Sequence, residues 1–331
     1  MQRVLLVAFA SAAVALGLMP RTGSAQPPIP PRITVAAWNI EWLGKPHNRS
    51  GAGKDVAQSA QDIADYIKAS AVDILSVEEV TFDTGTDDNR QNKTLVDACK
   101  FLNRLPGQQW EHRLFPKRDE DAKDQCVGLI WNESRVQPQK TQGNKPFYRL
   151  EMTAPQNLTD DPDFGAGSHY FDRWATAMKF SAGKDKTDVV LIPVHLKANI
   201  GGVAKTRRQR NVEAKMLTKA LAKVRDAFRD DDIIILGDTN ILKNDEPATT
   251  TITHAGFNDL NFLDAATHQG GAPFDRAFVA DDTNPKGRNK EFAHSAQEVF
   301  AHPDFNSQQF KKRLSDHYLI RFSIDVMDDD D

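Results

Sequence analysis

Several apolar segments of this 331-residue chain end in an amide, a carboxylate or an imidazole. In the segment Ile33 to Ile40, the alternation of a strand puts Asn39 on a face that is otherwise apolar. Asp238 and Asn240 extend one face of a later apolar run in the same way, and His195 ends a third. A polar group on a buried face needs partners. We therefore expect these side chains to form a site at one rim of a sheet.

Acidic residues at three strand ends indicate a metal. Glu79 continues the alternation of Leu75 and Val77, and the segment Ser315-Asp316-His317 opens the last predicted strand. If Glu79, Asp238 and Asp316 meet, their carboxylates cannot all stay ionised without a cation. Oxygen ligands suit Mg²⁺, Mn²⁺ or Ca²⁺, whereas the sequence offers no histidine or cysteine cluster for zinc. Mg²⁺ is the expected ion, and Mn²⁺ and Ca²⁺ are compatible with the same ligands.

Each of these residues has a simpler explanation when it is taken alone. A single acid or histidine at a strand end is usually a turn former or a surface residue. Asn39 alone could be a satisfied core amide, and His195 alone a buried histidine. Their occurrence together, each after a plausible strand, favours chemistry.

Six short segments resemble the successive motifs of the endonuclease/exonuclease/phosphatase superfamily, which includes the deoxyribonuclease-like secreted nucleases. They are Trp38 to Trp42, Val77 to Val80, Val194 to Lys197, Gly237 to Asn240, Phe274 to Arg276 and Ser315 to His317. The resemblance extends from about Ile33 to Ile324. It implies an α/β (α+β) domain, a four-layered sandwich of two packed mixed β-sheets flanked by helices, with the site in a cleft at one rim.

The resemblance also implies a set of metal ligands. Asn39, Glu79 and Asp316 would hold the metal. Between the two consecutive glutamates, strand parity and the family motif both select Glu79, and Glu78 is left as a supporting partner.

Five further residues receive catalytic or phosphate-binding roles from the resemblance. Asp238 would orient or deprotonate the attacking water, and Asn240 and His195 would bind the scissile phosphate. Asp275 would pair with His317 and favour its charged form beside the phosphate. The number of metal ions and the histidine that protonates the leaving group stay open.

Two positions bear on how far the resemblance extends. In the deoxyribonuclease branch a glutamate just before the strand matching Val127 to Trp131 supports a catalytic histidine, whereas Gln125 is the nearest match here. The support of His195 is therefore an open point. Arg173 resembles a phosphate-contacting arginine of the nucleases, and a surface arginine is the alternative.

The elements that must position these residues alternate between strand and helix patterns. The predicted strands are Ile33 to Ile40, Asp73 to Val80, Val127 to Trp131, Trp174 to Phe180, Val189 to Leu196, Ile233 to Gly237, Phe274 to Ala280 and Tyr318 to Ile324. The predicted helices are Asp62 to Lys68, Leu95 to Leu105 and a long one that Thr206 and Gln209 would cap. Pro193 predicts an irregular or edge position in its strand.

The N-terminus has the features of a secretory signal peptide. Arg3 is followed by the apolar run Val4 to Leu18, and Gly23 and Ala25 are the small residues that precede cleavage. The expected divisions are residues 1–25 as signal peptide, 26–32 as a proline-rich lead-in, 33–325 as the catalytic domain and 326–331 as an acidic tail. We expect a secreted or periplasmic monomer with no stable membrane association after cleavage.

The two cysteines, Cys99 and Cys126, are expected to form a disulfide in that oxidising compartment, against the alternative of two buried thiols.

The substrate is less well defined. A formal charge of −4 gives no overall basic field for nucleic acid. One local group of basic residues could contact a phosphate backbone or be a solvated face: Lys197, Lys205, Arg207, Arg208, Arg210, Lys311, Lys312 and Arg313. The leading hypothesis is an endonuclease that acts on DNA, with RNA as a further candidate substrate. A lipid or inositol phosphate phosphoesterase and a non-catalytic secreted binding module are the alternatives.

Overall fold

Two packed β-sheets form the centre of the molecule in the computed structural model, which describes residues 32–46, 57–85, 89–115, 125–150, 175–281 and 290–329. The strands in these ranges are β1 (Arg32–Leu43), β2 (Ile74–Val80), β3 (Trp110–Phe115), β4 (Cys126–Asn132), β5 (Gln137–Gln139), β6 (Tyr148–Arg149), β7 (Thr176–Ser181), β8 (Asp188–His195), β9 (Ile233–Asp238), β10 (Phe257–Asp259), β11 (Asp275–Ala280), β12 (Glu298–Phe300) and β13 (Leu319–Asp325).

Both sheets are mixed. The first has the order β12-β13-β1-β2-β4-β3, in which β1 runs parallel to β2 and antiparallel to β13. The second has the order β10-β11-β9-β8-β7-β5, with β6 also paired to β7, and its parallel pair is β8 with β9. The predicted sandwich of two mixed sheets is confirmed.

Five α-helices cover the outer faces of the sheets in the described ranges. They are α1 (Ala60–Ser70), α2 (Lys93–Leu102), α3 (Val203–Phe228), α4 (Pro247–His254) and α5 (Ser307–Arg313). Side-chain alternation along β1 divides the core: Val35 and Ala37 lie in the cluster between the sheets, whereas Ala36 and Trp38 lie in a second cluster under α1 and α2.

The long helix begins earlier than predicted. Gly202 precedes its first residue, and Thr206 lies within it, where its hydroxyl donates to the carbonyl oxygens of Gly202 and Val203. This back-bonding of a threonine to the preceding turn satisfies the hydroxyl inside a helix. The predicted capping by Thr206 and Gln209 is therefore wrong.

Pro193 occupies a regular position on one side of its strand. It pairs with Leu236 of β9, while the ladder between β8 and β7 ends at Leu191. Because proline has no amide proton, its place beyond the end of that ladder leaves no lost hydrogen bond.

The predicted disulfide is wrong. Cys99 and Cys126 are both buried and are not bonded to each other. The Cys99 thiol lies 3.8 Å from His112 Nδ1, and His112 pairs with Ile130, four residues along β4 from Cys126. That separation is about 13 Å of strand, well beyond the reach of a disulfide. Burial raises the pKa of the Cys99 thiol to about 12.

The predicted signal peptide, most of the lead-in and the last two residues lie outside the described residues. The acidic C-terminal segment does not project freely where it is described, because Asp328 forms an ion pair with Lys186 at 2.5 Å. Among the described residues, no helix is both long enough and apolar enough to cross a membrane.

Candidate active site

Strand register brings three of the predicted residues side by side. His195 at the end of β8 pairs with Asp238 at the end of β9, and Asp238 pairs with Asp275 at the start of β11. Neighbouring strands lie about 4.8 Å apart, so this register alone gathers an imidazole and two carboxylates at one rim. All three residues are at least nine-tenths buried.

Asn39 connects the first sheet to this group. Its side-chain amide donates from Nδ2 to Asp238 Oδ2 at 2.9 Å, and its Oδ1 accepts from the backbone of Glu41 at 2.9 Å. Both ends of the amide are thus engaged. In this arrangement Asn39 orients Asp238 across the interface between the sheets. Its Oδ1 has a second lone pair, and its role as a metal ligand stays a prediction.

The two consecutive glutamates of β2 both point toward the site, for a reason that strand parity did not reveal. Glu78 pairs with Asn39 and is fully buried. Leu75 and Val77, with which parity had grouped Glu79, lie in the cluster under α1 and α2 and not between the sheets. Glu79 has a left-handed backbone with φ 60°, and the register of β2 shifts between Val77 and Val80. This bulge turns Glu79 back toward the rim. The parity argument was wrong, although the carboxylate of Glu79 does reach the site.

Glu78 is an unusual residue for the floor of a site. Its Oε1 accepts from the Ser76 hydroxyl, and its other oxygen, Oε2, is buried and lacks a hydrogen-bond partner among the described residues. Burial is the main cause that raises the pKa of Glu78 well above its usual value, and the carboxylates of Asp275 and Asp238 raise it further. This environment favours the protonated form of Glu78 beneath the rim.

Glu79, His195 and Asp238 form the group best suited to a divalent cation. His195 Nε2 lies 3.4 Å from Asp238 Oδ2 and 3.8 Å from Glu79 Oε1, and one donor atom from each residue lies within 4.8 Å of the other two. Two carboxylate oxygens this close repel each other, and a cation between them would remove that repulsion. The donor set therefore fits the predicted metal at Glu79 and gives Asp238 a place beside it.

His317 and Asp275 form a buried ion pair. His317 Nδ1 lies 2.9 Å from Asp275 Oδ2, and the Thr267 hydroxyl donates to the same oxygen at 2.6 Å. Burial opposes the charged imidazole, but the carboxylates of Asp275, Asp238 and Asp316 outweigh it and raise the pKa of His317 to about 10. The predicted pairing of Asp275 with His317 is present. Because this pairing uses Nδ1, the other nitrogen of the charged ring, Nε2, carries a proton that is not bound by Asp275.

Asp238 lies between these two groups. Burial raises its pKa to about 6, the charge of His317 opposes that rise, and the Asp275 carboxylate adds to it. The Asn39 amide and the backbone amide of Asn240 both donate to Asp238 and so favour its ionised form. A buried carboxylate held in one orientation, with a pKa near neutrality, is suited to accept a proton from water.

Asn240 is fixed by its backbone. It has a left-handed conformation with φ 54°, and its Nδ2 donates to the carbonyl oxygen of Leu196 at 3.2 Å. A non-glycine residue held in this region of backbone space costs about 1 kcal/mol or more, and such positions cluster at functional sites. Asn240 therefore lies next to His195, as its predicted role requires.

Asp316 lies beside His317. Its carboxylate contacts two histidines, with His268 Nε2 at 3.4 Å from Oδ2 and His317 Nε2 at 3.9 Å from Oδ1. The structure thus brings Asp316 to the rim but groups it with His268 and His317, apart from Glu79.

His268 was missed from the sequence. It lies in the loop before β11 and bridges to His317, with 4.8 Å between the two ring centroids. No strand precedes His268, so the rule that selected polar strand ends could not find it. Arg173, the predicted phosphate-contacting arginine, lies outside the described residues.

The predicted basic rim is smaller than its sequence suggests. Arg210 is fully buried and pairs with Glu246 at 2.9 Å, and Arg313 pairs with Asp62. The buried charge of Arg210 needs this fixed partner, whereas Arg313 is exposed and paired at the surface. Among the other members of the group, Lys205, Arg208 and Lys312 are exposed, and Lys197, Arg207 and Lys311 are half-buried.

Comparison with known proteins agrees with this architecture. The model of the Endonuclease/Exonuclease/phosphatase family matches residues 36–317. No curated protein matches the chain.

Similar solved structures include the human Nocturnin catalytic domain, with 18% identity, a TM-score of 0.56, and 90% of this chain and 95% of that chain covered. A Bacteroides thetaiotaomicron mannosyl-6-phosphatase gives 14% identity and a TM-score of 0.57, covering 89% of this chain and 99% of that one. Truncated Caenorhabditis elegans TDP2 has 13% sequence identity and a TM-score of 0.52, and the match covers 89% of this chain and 98% of that chain. At these identities the likeness concerns the fold. The family match over most of the sequence means that this chain belongs to the endonuclease/exonuclease/phosphatase family.

Proposed function

We propose that this protein is a metal-dependent phosphodiesterase that hydrolyses the backbone of DNA. The observation that carries the proposal is the convergence of Glu79, His195, Asp238, Asp275 and His317 at one rim from five strand ends or bulges of two sheets. A binding protein has no need for a paired cationic imidazole beside an oriented carboxylate and a cation-binding group.

The residues divide the chemistry among them. Asp238 accepts a proton from the attacking water, and the charged ring of His317, held by Asp275, stabilises negative charge on the phosphate and carries a proton at Nε2. His195 and Asn240 contact the scissile phosphate. Glu79, with Asp238 beside it, would hold Mg²⁺, which when bound supplies positive charge to the non-bridging oxygens.

The test is a substrate panel of plasmid DNA, RNA, sphingomyelin vesicles and inositol phosphates, each with Mg²⁺ and with excess chelator. We expect nicking of DNA that needs Mg²⁺ and that falls at least about tenfold between about 50 and 200 mM salt, because phosphate contacts release counterions. Full cleavage of DNA in chelator would contradict the metal mechanism, and hydrolysis of another substrate alone would reassign the specificity.

A lipid phosphodiester is the second candidate, favoured by one specific observation. Four large apolar side chains are exposed among the described residues: Ile200, Val203, Phe262 and Leu263. Ile200 lies in the turn after β8, Val203 begins α3, and Asn199 in the same segment donates to the Asn240 carbonyl at 2.9 Å. The Asn244 amide donates to the Phe262 carbonyl, which connects the second apolar pair to the segment after Asn240. These exposed apolar residues are the ones that could enter a membrane surface.

Substitution of Leu263 by serine separates the two candidates. If lipid is the substrate, this change lowers the turnover of lipid in vesicles and leaves the turnover of a soluble phosphodiester unchanged. If DNA is the substrate, the variant cleaves plasmid at the parent rate.

We also propose that the protein acts outside the cytoplasm, on the strength of the N-terminal sequence. N-terminal sequencing of protein recovered from culture medium or periplasm should begin at Gln26. An intact Met1 in the exported protein would contradict cleavage after Ala25.

A further inference from the structure

A second group of carboxylates lies at the opposite end of β8 and β9 from the active site. Asp188 begins β8, Asp232 directly precedes β9, and Asp329 follows β13. One carboxylate oxygen from each of these residues lies within 4.8 Å of the other two. His195 is seven residues along β8 from Asp188, which is about 23 Å of strand. The group is therefore remote from the rim described above.

The core side of this group contains a buried carboxylate with an unsatisfied oxygen. Asp188 is 8% exposed, and its Oδ2 contacts Lys179 Nζ at 2.7 Å. Its other oxygen, Oδ1, is buried and has no hydrogen-bond partner among the described residues. Lys179 shares its single charge with Asp230, which it contacts at 3.0 Å. A buried carboxylate oxygen without a partner costs free energy, and a bound cation is one way to satisfy it.

The backbone of the C-terminal segment presents Asp329 to this buried group. The amide of Thr187 donates to the Met327 carbonyl at 3.0 Å, and the amide of Asp329 donates to the Asp185 carbonyl at 3.3 Å. Asp329 is exposed, so water can complete the coordination of an ion on that side.

We propose that Asp188, Asp232 and Asp329 form a Ca²⁺ site that clamps the C-terminal segment of the first sheet onto β8 and β9 of the second sheet. All ligands are oxygens, which Ca²⁺ prefers, and one ion can touch oxygens up to about 5 Å apart because its bonds are about 2.4 Å long. Mg²⁺ needs shorter bonds and a nearly ideal octahedron, which suits this open site less well.

The test is thermal unfolding of the full chain with increasing Ca²⁺, with Asp329→Asn as the variant and Asp328→Asn as its matched control. Asp328 is the adjacent acid, and it pairs with Lys186 outside the group. For an affinity of about 0.1–1 mM, about 10 mM Ca²⁺ should raise the Tm of the parent and of Asp328→Asn by about 3 °C. Asp329→Asn should lose most of that rise. Because Asp329 is exposed, this variant is expected to fold.

Glu79→Gln separates this site from the active site. Isothermal titration of Ca²⁺ into Glu79→Gln should retain one binding event, and Glu79→Gln combined with Asp329→Asn should lose it. No Ca²⁺-dependent rise in Tm, or an equal rise in Asp329→Asn and Asp328→Asn, would overturn the proposal. Turnover on DNA should be the same in Asp329→Asn and the parent at saturating Mg²⁺.

Discussion

Strands β8 and β9 gather acidic residues at both ends, yet the two ends differ in what accompanies the acids. At one end Asp238 meets His195 and, across the sheet, His317. At the other end Asp188 meets Lys179. Imidazoles gain and lose protons near neutral pH, whereas lysine keeps its charge. One end is thus equipped for proton transfer, and the other for holding a cation in place.

The largest effect that would sharpen this comparison is expected from His317→Ala. Loss of the charged ring should lower kcat by about 10³-fold, in the range for a group that both stabilises charge and transfers a proton. The Ca²⁺-dependent rise in Tm should remain, because His317 lies at the other end of the strands. The measurements are single-substrate kinetics and thermal unfolding of the same preparation. Unchanged turnover in both His317→Ala and His195→Ala would remove the assignment of the site.

A smaller effect is expected from Asp275→Asn, read through the pH profile of kcat/KM. The raised pKa of about 10 keeps His317 charged up to that pH, and Asp275 is the main carboxylate that raises it. Removing the negative charge lowers this pKa, so the alkaline limb should move down by about one pH unit or more. Asp275 also raises the pKa of Asp238, so the acid limb should move down as well. An alkaline limb that stays in place would mean that another group sets it.

The smallest effect is expected on the stability of the end of the sheets that carries the active site. The test compares Glu78→Gln with Glu79→Gln. The pKa of Glu78 is higher in the folded protein than in the unfolded chain, where it is about 4.3. At pH values between these two pKa values, the folded protein keeps a proton on Glu78 that the unfolded chain releases. Stability therefore falls as the pH rises through that window. Glu78→Gln removes this loss and should add about 1 kcal/mol at pH 8 and less at pH 4.

Glu79 is the matched control because its side chain is 16% exposed. Urea unfolding at the two pH values should show little gain for Glu79→Gln. An equal gain in both variants would mean that general acidic repulsion at the rim, and not burial of Glu78, causes the instability.

The sequence predicted the fold well because its signals are local and strong. The observed bounds of β8, β9 and β11 differ from the predicted bounds by no more than one residue at either end. Motif order then placed His195, Asp238 and Asp275 on strands that proved to be neighbours.

The features that escaped prediction depend on three-dimensional neighbours or on irregular backbone. Cys99 and Cys126 looked like a pair because only two cysteines exist, but strand register keeps them apart. His268 sits in a loop whose path no periodicity encodes. Arg210 looked like a phosphate contact, although its partner Glu246 lies 36 residues away in the sequence. Parity misplaced Glu79 because alternation holds only where the strand is regular.

The bulge in β2 makes this stretch sensitive to chain length as well as to residue identity. A regular pleat would send Glu78 and Glu79 to opposite sides, and the left-handed turn at Glu79 is what delivers both to one edge at different depths. Deleting either glutamate would remove the surplus residue and restore a regular pleat, with Val80 still opposite Cys126 and on the same side as Val77. Only one carboxylate would then remain near the rim. Two adjacent glutamates with different environments thus depend on a single surplus residue.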